Sequence, residues 1–329
     1  MKADLDVTPG LARALLAEQH PDLAGLSLEV VANGWDNVML RLGHAGDDGP
    51  ALALRLPRRE AAAALVRHEQ ATLPRLATLL DPGAGPGGPP AGDGAVAVPV
   101  PVRVGRPSDA LGYPWWWSVT PWVEGTAADR TPVLARRAWA ASFGAVLAAL
   151  HVPAPPDAPP NPVRGIPLAR RAEARDPAAL GARLDLVPAD RRAAAREVWQ
   201  AALDAPVHDG PPVWLHGDPH PANLVVAPGS RGDRLAAVVD WGDVTSGDPA
   251  GDLGALWLLF DDAGHAACRD AVQARAHRGA GWDDATWARA AGWALLYATN
   301  MLAHPDEHPR LVPIGRHALD RLLAPRTRP

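Results

Sequence analysis

Asp218, Asn223 and Asp240 have the types and spacing of groups that move a phosphoryl group. The run Val213-Trp-Leu-His-Gly-Asp-Pro-His-Pro-Ala-Asn-Leu-Val-Val226 holds the first two, five positions apart, and Val238-Val-Asp-Trp241 closes a second apolar run with the third. A carboxylate in a turn can orient an attacking hydroxyl and accept its proton. An amide oxygen and a second carboxylate are the hard oxygen donors that Mg²⁺ prefers, so Asn223 and Asp240 complete a set suited to phosphoryl transfer with a divalent metal.

The same letters admit other readings. A carboxylate in Gly-Asp-Pro can simply cap local amides. His216, Asp218 and His220 alternate like the ligands of a metal-dependent hydrolase, but no second histidine-rich segment supplies the rest, and Pro219 and Pro221 bend the backbone between them. A serine hydrolase would need a Gly-x-Ser-x-Gly elbow, and the chain has none.

Around the motif, periodicity predicts the elements. Residues Pro9–His20 read as a short amphipathic helix, followed by strands at Leu26–Val31, Val38–Leu42 and Ala51–Leu56, with a turn at Asn33-Gly-Trp-Asp-Asn37. A long helix over Glu60–Leu80 and strands at Val96–Val104 and Pro114–Val119 complete the first part. The run from Asp81 to Pro90 reads as loop, because its prolines remove the amide donors a phosphate loop needs. Beyond Gly125 helices dominate, at Val133–Leu150, Leu168–Leu184, Ala189–Leu203, Asp252–Phe260, Ala263–His277, Trp282–Met301 and Ile314–Leu323. Short β segments at Val213–Leu215, Leu224–Val226 and Leu235–Val239 carry the motif. The expected organisation is α+β: an N-terminal lobe over 1–120, a connector at 121–125 and a mainly helical lobe over 126–329.

Composition narrows the function classes. A chain of 329 residues is long enough for two cores. The net charge of -5, without a basic run, gives no footprint for nucleic acid. Cys268 is the only cysteine, which excludes an internal disulfide. The N-terminus has no apolar signal core and no unbroken apolar run reaches about twenty residues, so the expectation is a soluble cytoplasmic protein with no membrane partner. Of 32 basic residues only Lys2 is a lysine, so any fixed cation must come from arginine.

Taken together, His216-Gly-Asp-Pro-His-Pro-Ala-Asn223, Val239-Asp-Trp241 and Gly247-Asp-Pro-Ala-Gly-Asp252 resemble the aminoglycoside phosphotransferase family, small-molecule kinases with a protein-kinase-like fold. The order and spacing of these blocks fit, and the likeness runs over nearly the whole chain. Gly34-Trp-Asp-Asn37 and Leu54-Arg-Leu-Pro-Arg58 fit one branch of the family. The resemblance implies that Asp218 is the catalytic Asp and that Asn223 and Asp240 bind Mg²⁺. It makes His216 and Asp252 braces of the loop, and leaves Asp243 facing metal, substrate or water.

The resemblance also implies a nucleotide half. Gly34 belongs to the turn over the nucleotide, and Arg55 with Glu69 supplies the cation on the phosphates and the carboxylate that holds it. Most such kinases use lysine there, and arginine is larger and forked. Arg41, Arg58 and Arg59 compete for the role. In this fold the connector offers a carbonyl and, two residues later, an amide to the purine, which selects Pro121 and Val123. Trp115, Trp116 and Trp117 read as packing, whereas Trp122 stays open between packing and site.

The expectation is a Mg²⁺-dependent phosphotransferase using ATP or GTP on a small hydroxylated acceptor, with aminoglycoside and macrolide antibiotics in the range. The alternative is a catalytically weak nucleotide-binding regulatory protein, suggested by Arg55. Acceptor walls are expected among Phe260-Asp-Asp262, the helix through Trp282, Trp287, Trp293, Tyr297 and Asn300, and Asp306 with Glu307. These supply both acids and aromatics, so the acceptor class is open.

Overall fold

In the computed structural model, which describes residues 3–34, 36–43, 51–80, 95–230, 232–275 and 281–324, the chain divides into two units. One is Met1–Glu124 with Val239–Gly242, the other Gly125–Val238 with Asp243–Pro329. The expected loop at 81–90 and Trp35 of the Gly34 turn lie outside the described residues.

In the first unit, α1 (Pro9–Gln19) starts where Thr8 Oγ1 accepts the Leu11 amide at 3.1 Å and Pro9 takes the first helical position, where a missing N–H costs nothing. Strands β1 (Leu28–Asn33), β2 (Asn37–Leu42) and β3 (Leu52–Pro57) follow, then α2 (Glu60–Leu80), β4 (Arg103–Gly105) and β5 (Trp117–Pro121). They form one antiparallel sheet in the order β1-β2-β3-β5-β4. The register pairs Leu40 with Leu54 and Leu54 with Val119, and these residues share a core with Ala12, Leu15 and Leu16 of α1. Side chains alternate across a strand, so Arg55 and its partner Ser118 must face the other way. That face meets α2, whose Gln70 Nε2 donates to Ser118 Oγ at 2.9 Å.

Two expected strands shift. Of Val96–Val104, only Arg103–Val104 falls in a strand, β4, because Pro99 and Pro101 have no N–H to give a continuous ladder. The next strand runs from Trp117 to Pro121 rather than from Pro114.

The second unit contains β6 (Thr126–Ala127), α3 (Ala140–Leu150), α4 (Ala172–Arg175), α5 (Pro177–Leu184), α6 (Arg192–Asp204), β7 (Val213–Leu215), β8 (Leu224–Gly229), β9 (Gly232–Val238) and β10 (Thr245–Gly247). It ends in α7 (Ala250–Leu253), α8 (Leu256–Leu259), α9 (Asp262–Arg275), α10 (Asp284–Leu302) and α11 (Val312–Leu322). Helix α3 packs on α9, and α10 packs on α6 and α11. The single helix expected over Leu168–Leu184 is broken at Asp176, which is held extended by Pro177 and caps α5 instead. The one expected over Asp252–Phe260 is two short helices beginning at Ala250.

Val133–Leu150, a 3₁₀ turn running into α3, has the length and hydropathy of a membrane span. It is also part of this unit's core: Arg136 is buried and donates to the Leu259 carbonyl at 3.1 Å, and Trp139 stacks on Phe260 with ring centres 5.0 Å apart.

Candidate active site

The parity of β3 decides which cation reaches α2. Arg55 Nη1 donates to Glu69 at 2.7 Å and Nη2 donates to Asp240 at 2.7 Å. Glu69 also accepts the Trp241 amide, so Val239–Gly242 is tied to the first unit at two points. Burial opposes the Arg55 cation, but Asp240 and Glu69 outweigh it and raise its hold on the proton above that of an ordinary arginine. Burial lifts the Glu69 carboxyl above the usual range, with Arg55 opposing. The competing arginines lie elsewhere. Arg58 donates to the Gly34 carbonyl at 3.3 Å, Arg59 pairs with Asp36 at 3.5 Å, and Arg41 pairs with Glu124 while stacking on Trp122 at 5.0 Å. Trp115 and Trp116 are half-buried and Trp117 is buried in the core.

Asp240 has φ 59°, the one non-glycine residue with positive φ among the described residues. Aspartate tolerates this region better than most, at a cost. The cost turns its side chain, which is half exposed, toward Arg55.

Gly34 closes the turn between β1 and β2, its amide donating to Asn37 O at 3.0 Å. At the other edge, Val119 O accepts the Val102 amide while the Trp122 amide donates across to Ala51 O. Backbone groups of an extended chain alternate in direction, so the Pro121 carbonyl faces the Val102 side, and Val123 lies two residues beyond the end of the strand. The residues before Val102 on that edge include Pro99 and Pro101, which have no N–H.

In the second unit β7 delivers the loop that carries Asp218. Gly217 has φ 89°, and a Cβ there would lie 2.3 Å from Asp243 O, so only glycine makes this turn. Asp252 fastens it: Oδ2 accepts the His216 amide at 2.8 Å, Oδ1 accepts the Gly217 amide at 2.9 Å, and His151 Nε2 lies 3.3 Å away. Burial works to raise the Asp252 carboxyl, yet His151, His216 and the Gly217 amide hold it below the usual range. His216, also buried, accepts the Asp218 amide on Nδ1 at 3.2 Å. Both expected braces are present.

Asn223 Nδ2 donates to the Asp218 carbonyl at 2.9 Å, which leaves its amide oxygen as the group it can offer a cation. An amide oxygen is a donor that suits a hard divalent ion, and in the first unit the Asp240 carboxylate is another of that kind. The hydrolase arrangement is not formed. His216 Nδ1 is engaged by Asp218, and His220 Nδ1 accepts the Ala222 amide at 3.2 Å. No group of three or more His, Cys, Asp or Glu among the described residues is placed to hold a metal.

A cavity of about 150 Å³ opens at Asp218, walled by Arg164 and His220, by Tyr297, Asn300 and Met301 of α10, and by Leu311. Of the expected acceptor walls, Tyr297 and Asn300 are in it. Asp261 instead bonds Arg137 at 2.6 Å, Asp262 pairs with Arg321, and Asp306 and Glu307 are exposed.

Arg164 escaped the sequence reading. Its Nη2 donates to Asp218 Oδ1 at 3.0 Å and its guanidinium lies over the Tyr297 ring at 5.1 Å. Asn161 sets it there: Oδ1 accepts the Val163 and Arg164 amides, both at 3.0 Å, and Nδ2 donates to Asp243 at 2.8 Å. The one local signal was Asn161-Pro-Val-Arg-Gly165, an Asn-Pro turn start with a glycine after the arginine.

The sequence pattern of the phosphotransferase enzyme family matches residues 27–293. Among solved structures, a GDP and kanamycin complex of APH(2")-IIia is 17% identical, with 94% of this chain and 97% of that one covered and a TM-score of 0.64. Macrolide 2'-phosphotransferase MphH from Brachybacterium faecium, as apoenzyme, is 22% identical over 97% and 99%, with a TM-score of 0.53. A thermostable mutant of aminoglycoside phosphotransferase APH(4)-Ia, in ternary complex with AMP-PNP and hygromycin B, is 15% identical over 93% and 98%, with a TM-score of 0.53. At these identities the likeness is one of fold. No curated protein matches the chain.

Proposed function

The chain belongs to the phosphotransferase enzyme family, with its protein-kinase-like α+β fold, and on that premise we propose that it moves the γ-phosphoryl group of ATP or GTP to a hydroxyl of a small molecule in the cytoplasm. Asp218 takes the proton of the acceptor hydroxyl as its oxygen bonds to the γ-phosphorus and the bond to the leaving diphosphate breaks. Such a reaction needs the acceptor oxygen within about 3 to 3.5 Å of phosphorus. Arg55, steadied by Glu69, serves the phosphates, Gly34 covers them, and the Pro121 carbonyl and Val123 amide serve the base. Asn223 and Asp240 hold Mg²⁺, which when bound neutralises charge on the phosphate oxygens.

One observation carries this reading: the Asp218 carboxylate opens on a cavity from a turn locked by Gly217 and by the buried Asp252. A loop so braced suits a group that must be held still for chemistry. The rival, a nucleotide binder with no turnover, draws on arginine at position 55, but that arginine makes the carboxylate pair a phosphate-binding cation needs. The test is diphosphate release with Mg²⁺ and each nucleotide over a panel of hydroxylated acceptors. Acceptor-dependent release that Asp218→Ala abolishes supports the transferase. Tight nucleotide binding with no release on any acceptor supports the binder.

A further inference from the structure

The cavity at Asp218 has an unusual charge balance for a site that would take an amino sugar. Among the described residues its one wall carboxylate is Asp218, and that carboxylate is partnered by Arg164. The remaining wall residues, His220, Tyr297, Asn300, Met301 and Leu311, carry no acid, and His220 Nε2 lies 3.5 Å from the other Asp218 oxygen. Asp243 bonds Asn161 and adds its charge to the hold on Arg164, and Asp261 and Asp262 are paired with Arg137 and Arg321. A polycation would meet an arginine first and find no surplus carboxylate to hold its ammonium groups.

The position of Arg164 is built rather than accidental. Its backbone is capped by Asn161, and Gly165 after it has φ 67°, with a Cβ there 2.6 Å from Ser246 O. Its guanidinium lies on Tyr297 and shares a hydrogen bond with that side chain, Nη2 meets Asp218, and the buried Nε–H has no partner. A guanidinium carries five N–H donors in a planar fork and can serve two carboxylates at once. Here one is Asp218 and Tyr297 takes a further hydrogen bond, which leaves the rest of the fork for an anionic oxygen at the cavity.

We infer that Arg164 determines acceptor specificity: the hydroxyl that is phosphorylated belongs to a small molecule bearing an anionic group, a carboxylate or a phosphate ester, rather than to a polyamine. The inference rests on Asp218 as the base of the reaction proposed above. Size agrees with it, since about 150 Å³ is below the roughly 300 to 1,000 Å³ of drug-sized ligand sites. Arg164 lets a negative acceptor approach a negative base by screening one from the other. Its contact with Asp218 makes it a positioning residue too, so the informative quantity is a ratio between acceptors rather than a rate.

The experiment measures kcat/KM with Mg²⁺ and saturating nucleotide for glycerate, glycerol 3-phosphate, glycerol and kanamycin. Binding of the two anions is measured in parallel by calorimetry. In the wild type at least one anion is expected to exceed glycerol by roughly tenfold or more, as a charge-assisted hydrogen bond gives. Arg164→Met should bring that ratio near one, and Arg164→Lys should keep part of it. Whether the carboxylate or the phosphate ester leads identifies the source of the anion. Preference for kanamycin over both anions overturns the inference, as does an anion preference that survives Arg164→Met. Arg164-dependent anion binding without turnover on any acceptor would sink the transferase reading and leave the anion site standing. Absence of both overturns the two together.

Discussion

Arg55 donates to Asp240 at 2.7 Å although 185 positions separate them. The same guanidinium holds Glu69, a double grip in the fixed geometry of a planar fork, where lysine would offer a compact point charge. Arginine in place of the usual lysine is therefore built into the surroundings of this site.

Arg55→Lys is expected to keep the fold and raise the nucleotide KM by about tenfold or more, because one of the two carboxylates loses its partner. Arg55→Met leaves Glu69 buried without a counter-charge and should cost about 3 to 5 kcal/mol of unfolding free energy. Urea denaturation and nucleotide kinetics read the two effects, and a lysine variant with wild-type KM would show the fork to be unnecessary.

Asp218→Asn is close in shape but cannot take a proton. It should lower kcat by about 10² to 10⁴ while calorimetry finds nucleotide affinity retained. Turnover equal to the wild type would remove Asp218 from the chemistry.

Asp252 accepts two amides of the loop that carries Asp218 from a fully buried position. Replacing it with alanine leaves those donors unsatisfied, at about 1 to 3 kcal/mol each. Stability and kcat should fall together, with the loop amides exchanging faster in hydrogen exchange. Unchanged protection of His216 and Gly217 would mean that the loop stands without it.

His265 lies between Trp257 and Trp287, at 4.6 and 6.3 Å between ring centres. Burial, with Arg321 and Arg269 adding to it, lowers its pKa to about 4. A depressed folded value means that the unfolded chain binds the proton first as pH falls. The contribution is complete above about pH 6.5 and is lost through the window from 6.5 to 4. The expected loss is on the order of 1 to 3 kcal/mol, and His265→Phe should flatten that part of a melting-temperature profile. A variant with the same slope as the wild type would place the titration elsewhere.

How much of this could be read from the sequence depended on range. Asp218 and Asn223 are close in sequence, and the turn that joins them is made from the intervening Pro219, His220, Pro221 and Ala222, so their association is local and visible. The direction of Arg55 follows from strand parity once Leu54 and Leu56 are seen as core. The limits of β4 and the break before α5 were present in Pro99, Pro101 and Pro177, and were missed by weighing apolar periodicity above the lost N–H groups. Arg164 was hidden for a different reason. One arginine among many in a proline-rich stretch has no periodicity, and its partner Asp218 is 54 positions away. The attachment of Val239–Gly242 to the first unit is likewise long-range and depends on Trp241 and Asp240 meeting α2 and β3 residues.

Those four residues have a consequence for inheritance. Because the first unit includes Val239–Gly242, it is not a segment that can be exchanged between relatives by one crossover after Glu124. A hybrid made that way would combine an arginine or lysine from one parent with an aspartate shaped to the other parent's cation. A faithful swap needs two more joints, flanking Val239 and Gly242, and recombination that ignores them should yield hybrids that fold yet handle nucleotide poorly.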